Sequence, residues 1–234
     1  MPFLGSIVKG ARSVIRCCIF DLDGTLLNTL DDLAASCNHA LAQYGYDGHD
    51  VQTYRYFVGN GVDKLIRRAI SVDVSPEQKQ AVKRAFSEHY AKHFLDLTKP
   101  YDGIESVLRV LKLGNIRTCV VSNKPHAFST ELISGIFGTK FFDIIIGASD
   151  DLPKKPSPDG VLQCIERLGV SKQDCVYIGD SDIDIMTAKN AGIRSIGAAW
   201  GFRGKAELVA AGADDIAETP KDIASLLFIA KKSS

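Results

Sequence analysis

Hydrophobic positions along this chain follow two different patterns, and the pattern changes twice. Residues 17–20 form a short apolar run that stops at two closely spaced aspartates, which is typical of a buried strand. For about seventy residues after it, apolar positions recur at the i, i+3, i+4 spacing of helices. This spacing predicts helices over residues 30–44, 62–70 and 76–94.

From residue 104 onward, short apolar runs alternate with helical patterns. We predict helices over 104–113, 124–136, 159–168, 182–191, 205–210 and 221–230, and strands over 118–121, 144–147, 175–178, 195–198 and near Asp215. Parallel strands need crossover connections, which are right-handed, so this alternation predicts an α/β, Rossmann-like, doubly wound parallel sheet. The inserted helices form a predicted α-helical cap domain of residues 28–98. Residues 1–27 and 99–234 form the predicted core domain.

Composition narrows the classes of function. The 28 basic and 28 acidic residues balance, so no net charge favours nucleic acid or an anionic membrane surface. No run approaches the roughly 18 consecutive apolar residues that a membrane helix requires. The six cysteines show no CxxC spacing and fit the reduced state of a cytoplasmic protein. We therefore expect a cytoplasmic protein with a small-molecule partner, without nucleic acid or membrane contacts.

Residues 1–16 carry three basic residues and no acid, but two glycines interrupt their apolar positions. The segment is therefore too weakly apolar to be expected as a signal peptide. The sequence does not decide whether this segment is an organelle transit peptide or what role residues 1–13 have.

Four predicted strands end at polar residues that suit phosphate or Mg²⁺. Asp21 and Asp23 follow the first strand, and the other strand ends carry Ser122 with Asn123, Lys155, and Asp180. The carboxyl ends of parallel strands lie at one edge of a sheet, so these residues can meet around one ligand. Side chains two residues apart on a strand share a face, which lets Asp21 and Asp23 address one phosphoryl group.

Several of these signals also have simpler structural explanations. Ser122 and Asn123, taken alone, are more often a helix N-cap and its neighbour than a phosphate site. Asp182 is favoured as the cap of the helix that carries Asp184. Lys154 is expected to be exposed to solvent. Only the segment with Asp21 and Asp23 is specific by itself. The four polar strand ends, taken together and in this order, are a strong signal.

The ordered motifs resemble those of haloacid dehalogenase superfamily phosphatases. They occupy residues 21–25, 122–124, 155–158 and 179–181, with Asp184 four residues beyond Asp180. Over nearly its whole length, the chain is similar to the phosphoglycolate phosphatase branch, which has a small helical cap. The resemblance implies Mg²⁺-dependent hydrolysis of a small phosphorylated metabolite through an aspartyl-phosphate intermediate.

The resemblance also implies roles for the residues at the strand ends. Asp21 would be the nucleophile, and Asp23 would protonate the leaving alcohol and later activate water. Lys155 would supply positive charge and Ser122 a hydrogen bond to the phosphoryl oxygens. Mg²⁺ prefers oxygen ligands, and the family pattern assigns it Asp21, the backbone carbonyl of Asp23, and Asp180.

Further residues are implied to support this set. Asp184 would orient the metal-bound waters or the active-site lysine. Thr25 and the backbone N–H of Asn123 would bind phosphoryl oxygens. In the cap, a loop that opens a helix contains Asn60 and Gly61, which are candidates for substrate contact because this loop faces the active site in the family.

The resemblance does not select the substrate. A 5′-nucleotidase or a pyrophosphatase of the same superfamily would carry the same motifs. A phosphosugar mutase is disfavoured, because its relatives tend to carry a basic residue in the cap loop that residues 59–61 occupy here. A receiver-like signalling protein would need neither the cap nor a second aspartate that protonates a leaving group. The oligomeric state also stays open, a homo-oligomer included.

Overall fold

The first predicted strand lies in the middle of the sheet. In the computed structural model, which describes residues 14–228, β1 (Cys17–Phe20) is completely buried. Cys18 and Phe20 pack into an apolar cluster on one face of the sheet, and Cys17 and Ile19 into a second cluster on the other. A strand that is covered on both faces must be apolar throughout, which explains the continuous run.

The predicted doubly wound sheet is confirmed. The other strands are β2 (Leu27–Asn28), β3 (Lys99–Pro100), β4 (Arg117–Pro125), β5 (Ile144–Ala148), β6 (Cys175–Gly179), β7 (Arg194–Ala198) and β8 (Asp215–Ala217). Six of the strands form a parallel sheet in the order β5-β4-β1-β6-β7-β8. The order reverses direction at β1, and ligands of open α/β sheets bind at such a switch point.

Ten α-helices lie within residues 14–228. They are α1 (Leu30–Gln43), α2 (Tyr54–Phe57), α3 (Val62–Ile70), α4 (Pro76–His93), α5 (Ile104–Leu113), α6 (His126–Phe137), α7 (Asp159–Leu168), α8 (Asp182–Ala191), α9 (Lys205–Ala210) and α10 (Asp222–Phe228). Side chains of α5, α6 and α10 join the apolar cluster on one face of the sheet, and those of α7 and α8 join the cluster on the other. The sheet is therefore covered on both sides.

Helices α1 to α4 form the helical cap, which has an apolar cluster of its own. The predicted helices of this region agree with α1, α3 and α4 to within one residue at each end. A capping box with Ser75 and Gln78, followed by Pro76, begins α4. A 3₁₀ helix, Val51–Thr53, and the short α2 were not predicted, because four or fewer residues show no helical period.

The two segments that connect the sheet domain with the cap lie side by side. β2 and β3 pair as a short antiparallel ribbon, in which Leu27 lies opposite Pro100. The buried carboxylate of Asp32, on α1, accepts hydrogen bonds from the backbone N–H groups of Leu97 and Thr98 and from the Thr98 hydroxyl. These bonds hold the segment that returns from the cap to the sheet against the first cap helix.

One prediction about the sheet is wrong. Ser122 and Asn123 do not cap a helix: they lie within β4, and α6 begins only at His126, with Pro125 as its N-cap residue. The reason is Pro125, because a proline disfavours helical backbone in the residue before it and so keeps Lys124 extended. The helix predicted over 124–136 therefore starts two residues later than expected.

Further expectations concern the whole chain. All six cysteines are buried and unbridged, as expected for reduced core residues. No helix in the part of the chain that the structure describes combines the length and the apolar character needed to span a membrane. The interpretation of residues 1–13 and the end of the predicted helix over 221–230 lie outside the described residues.

Candidate active site

Three carboxylates from two neighbouring strand ends meet at the carboxyl edge of the sheet. Asp21 follows β1, Asp180 follows β6, and Asp184 lies in the first turn of α8. All three are buried, and each offers an oxygen within 4.8 Å of the others. The convergence expected from the parallel topology is therefore present for Asp21 and Asp180, and Asp184, which the resemblance implied, lies with them.

Lys155 provides the positive charge at this cluster. Its Nζ lies 2.8 Å from Asp21 Oδ1 and 2.6 Å from Asp184 Oδ1, and it donates to the hydroxyl of Tyr177 at 3.0 Å. Burial lowers the pKa of Lys155, but Asp184 and Asp21 outweigh burial and hold that pKa well above its ordinary value. The lysine is therefore a permanent cation beside the nucleophile candidate.

The carboxylates disfavour one another's charge. Burial raises the pKa of Asp21 to about 6, against the lowering effect of Lys155. Burial also raises the pKa of Asp180 well above its ordinary value, and the neighbouring Asp184 and Asp21 add to this shift. Three buried acids therefore share one lysine, and their full ionisation leaves unbalanced negative charge unless a further cation is bound.

The start of α8 positions Asp184, although not as predicted. Its Oδ2 accepts hydrogen bonds from the backbone N–H of Ser181 at 3.1 Å and from the Ser181 hydroxyl at 2.7 Å. Ser181, rather than Asp182, is the N-cap residue. Asp182 instead accepts from the backbone N–H of the residue that follows it. The signal was in the sequence, since serine with an acid three residues later is a capping pattern.

Asp23 lies in a second cluster, with a residue that the sequence reasoning left without a role. Lys124 Nζ lies 2.9 Å from Asp23 Oδ1 and 3.2 Å from Oδ2, and the hydroxyl of Thr29 donates to Oδ1 at 2.7 Å. Lys124 is buried. The pairing of β4 with β5 is irregular between Val121 and Pro125, so the alternation of a regular strand could not have placed Lys124 beside Asp23.

The predicted substrate contacts take different positions. Thr25 is buried and donates to Asp180 Oδ1 at 3.4 Å. Asn123 donates to the backbone carbonyl of Gly59 and accepts from the backbone N–H of Lys155, so its side chain joins the cap loop to the lysine loop. Whether these residues also contact a substrate stays a prediction.

A cavity of about 70 Å³ lies between the sheet edge and the helical cap. Its walls include Asp21, Asp23, Ser122 and Asn123, together with the cap residue Gly61. Asn60 is not one of its lining residues. Most of the other lining side chains are apolar and come from α1, α3, α4 and α6. The cap therefore covers a small space over the nucleophile candidate.

The carboxylate cluster fits a divalent metal ion. Its donors are hard oxygens, which Mg²⁺ and similar cations prefer. The excess of negative charge over Lys155 favours a further cation there. Asp21 and Asp180, with the backbone carbonyl of Asp23, are the residues that would hold it. Gly24 leaves the necessary room, since a side chain at its Cα would approach the Asp180 carboxylate to 2.3 Å.

The fold and the site define a class of Rossmann-like hydrolases. Its features here are the parallel sheet, the inserted helical cap, and the cluster of acids and lysine under that cap. The family model of haloacid dehalogenase-like hydrolases matches residues 18–198. The chain belongs to this family.

Similar proteins agree with this assignment. A phosphoglycolate phosphatase of Pseudomonas putida is 34% identical over 193 residues, which are 80% of this chain and 70% of that protein. A phosphoglycolate phosphatase of Vibrio parahaemolyticus is 30% identical, over 92% of this chain and 97% of that protein. The crystal structure of a predicted phosphoglycolate phosphatase from Haemophilus somnus 129PT superposes with a TM-score of 0.85 at 26% identity, over 92% of this chain and 98% of that one.

Proposed function

We propose that this protein is a Mg²⁺-dependent phosphomonoester phosphatase that hydrolyses a small phosphorylated acid, with phosphoglycolate as its preferred substrate. The observation that carries the proposal is the position of Asp21, which is buried beside Lys155 and Asp180 and lines the cavity under the cap together with Asp23. The names of the relatives support phosphoglycolate as substrate.

The reaction proceeds in two displacements. A carboxylate oxygen of Asp21 attacks phosphorus, the bond from phosphorus to the ester oxygen breaks, and the leaving oxygen takes a proton from Asp23. Asp23 then removes a proton from a water molecule, which attacks the phosphorus of the aspartyl-phosphate. Inorganic phosphate leaves and Asp21 is regenerated.

Charge around the phosphoryl group makes the first displacement feasible. A phosphoester dianion repels a carboxylate nucleophile, so cations and hydrogen-bond donors must surround the phosphoryl oxygens. Lys155 and the hydroxyl of Ser122 supply them from the protein, and Asp184 holds Lys155 in place through the 2.6 Å contact. Bound Mg²⁺ would supply further positive charge at the same oxygens.

Replacing the nucleophile tests the mechanism. Asp21→Asn should lower the rate of phosphate release from phosphoglycolate with Mg²⁺ by at least about a thousandfold, because an amide oxygen is a poor nucleophile. The fold should persist, as measured by circular dichroism. Asp182→Asn is the matched control and should retain activity, since the Asp182 side chain lies at the start of α8 and, within residues 14–228, accepts from the next backbone N–H and from no other donor.

Two outcomes would count against the proposal, one against its mechanism and one against its substrate. Substantial remaining activity of Asp21→Asn would exclude the covalent route. A wild-type protein that releases phosphate from pyrophosphate or 5′-nucleotides, but not from phosphoglycolate, would exclude the substrate and leave the phosphatase activity standing.

A further inference from the structure

The two buried lysines of the site serve different carboxylates. Lys155 contacts Asp21 and Asp184 in the carboxylate cluster. Lys124 contacts Asp23 instead, and its side chain is only 3% exposed. Since Asp23 is the proposed acid for the leaving oxygen, Lys124 lies on the leaving-group side of the phosphoryl group. It is a second cation, and its carboxylate partner is Asp23 rather than Asp21.

A cap residue beside Lys124 has a hydroxyl hydrogen without an acceptor among residues 14–228. Tyr90, on α4, is 2% exposed and its hydroxyl is buried, and the neighbouring ammonium of Lys124 can only donate to it. Lys124 Nζ lies 4.8 Å from the centroid of the Tyr90 ring. Buried tyrosine hydroxyls normally find a partner. Both Tyr90 and Lys124 line the cavity under the cap, so two neighbouring donor groups face a space in which a ligand can bind.

The rest of this side of the cavity offers little to a polar ligand. Its walls there include Leu33, Val58, Leu65, Phe86 and Phe128. A ribose or a sugar would lose hydration of several hydroxyls without finding new partners. A short leaving group with one anionic end would place that end against the only cation on this side of the described cavity wall, Lys124.

We propose that Lys124 and Tyr90 form the binding site for a carboxylate on the leaving group, and so select short phosphorylated acids. The proposal rests on the proposed function, because it takes Asp23 as the acid that faces the leaving oxygen. In phosphoglycolate the carboxylate carbon is two bonds from the ester oxygen, so a group that contacts Asp23 is within its reach. The carboxylate would give Tyr90 its missing acceptor and would replace Asp23 as the partner of Lys124.

The test compares two esters with the same two-carbon chain. Phosphoglycolate carries the carboxylate, and ethyl phosphate lacks it. Wild-type protein with Mg²⁺ should show a much higher kcat/KM for phosphoglycolate. Tyr90→Phe removes only the hydroxyl and should lower kcat/KM for phosphoglycolate about tenfold, mainly through KM, while kcat/KM for ethyl phosphate changes less than about twofold.

Two further variants complete the experiment. Tyr44→Phe, at an exposed tyrosine of the cap, is the control and should change neither substrate. Lys124→Met should lower the activity towards both esters, because Asp23 loses its partner, and should lower the preference for phosphoglycolate more than Tyr90→Phe does. The exposed Lys189→Met serves as its control.

The outcomes separate the two proposals. An unchanged preference in Tyr90→Phe, or a wild-type protein that hydrolyses ethyl phosphate as well as phosphoglycolate, would overturn the carboxylate site and leave the phosphatase in place. If the wild type released phosphate from neither ester nor from p-nitrophenyl phosphate, the proposed function would fail and the carboxylate site with it.

Discussion

Gly24 shows how one residue can decide whether the site forms. Its φ of +86° is in the left-handed region, and a Cβ there would lie 2.3 Å from Asp180 Oδ2. Glycine is the residue that accepts both constraints, because it has no side chain to collide and no penalty for positive φ.

Substitution of Gly24 should therefore damage metal binding. We expect Gly24→Ala to raise the Mg²⁺ concentration for half-maximal activity at least tenfold, because Asp180 must move. Gly212→Ala is the matched control: Gly212 has a φ of +82°, but a Cβ there would meet no atom within 4 Å. It should lose about 1–2 kcal/mol of stability from backbone strain alone and keep its Mg²⁺ dependence. Equal Mg²⁺ dependence in both variants would contradict the expectation.

At the scale of elements, α2 connects the cap with the proposed metal-binding edge of the sheet. Arg55, on α2, donates to the backbone carbonyls of Gly201 at 2.9 Å and Phe202 at 2.8 Å. The backbone N–H of Phe202 donates to Asp180 Oδ2 at 2.7 Å. A helix of only four residues thus holds the loop that orients a proposed metal ligand.

Removal of this connection should loosen the cap. Arg55→Met should lower the free energy of unfolding by about 1.5–3 kcal/mol, the usual contribution of hydrogen bonds to a charged group, as measured by urea denaturation. Hydrogen exchange in α2 should become faster. Arg84→Met, at an exposed arginine of α4, should change stability by less than about 0.5 kcal/mol. A similar loss in both variants would show that the contacts of Arg55 do not matter.

For the whole molecule, we expect the three buried carboxylates to make stability depend on the proposed metal. Burial, then Asp184 and Asp21, raise the pKa of Asp180, so the ionised cluster is strained when no cation balances it. A cation that binds only the folded state stabilises it by mass action.

Chelation should therefore affect both activity and stability. EDTA should abolish phosphate release and lower Tm, and Mg²⁺ at about 100 times its Kd should restore about 2.7 kcal/mol. Asp180→Asn should lose this Mg²⁺-dependent rise in Tm, and without metal it should be more stable than the wild type because one buried charge is gone. A rise of the same size in the variant would place the cation elsewhere.

Local patterns in the sequence determined a large part of this protein. The alternation of apolar runs and helical periods predicted the doubly wound sheet and the bounds of α1, α3, α5 and α8 closely, since these elements follow from side-chain periodicity. The position of Asp21 and Asp180 at one edge followed from the parallel topology, whereas Asp184 was implied by the resemblance to the family. Serine and acid spacing at the start of α8 was readable as well, although it was interpreted wrongly.

Only the tertiary structure decided which residues meet across the cap and the sheet. The pairing of Lys124 with Asp23, the position of Tyr90 beside that pair, and the contact of Arg55 with the loop after β7 join residues that are far apart in the chain. Such contacts depend on how the cap packs on the sheet, and no short-range pattern records them. The sequence therefore determined which acidic and basic groups meet at the sheet edge. The packing of the cap on the sheet determined which residues lie around Asp23 and line the cavity.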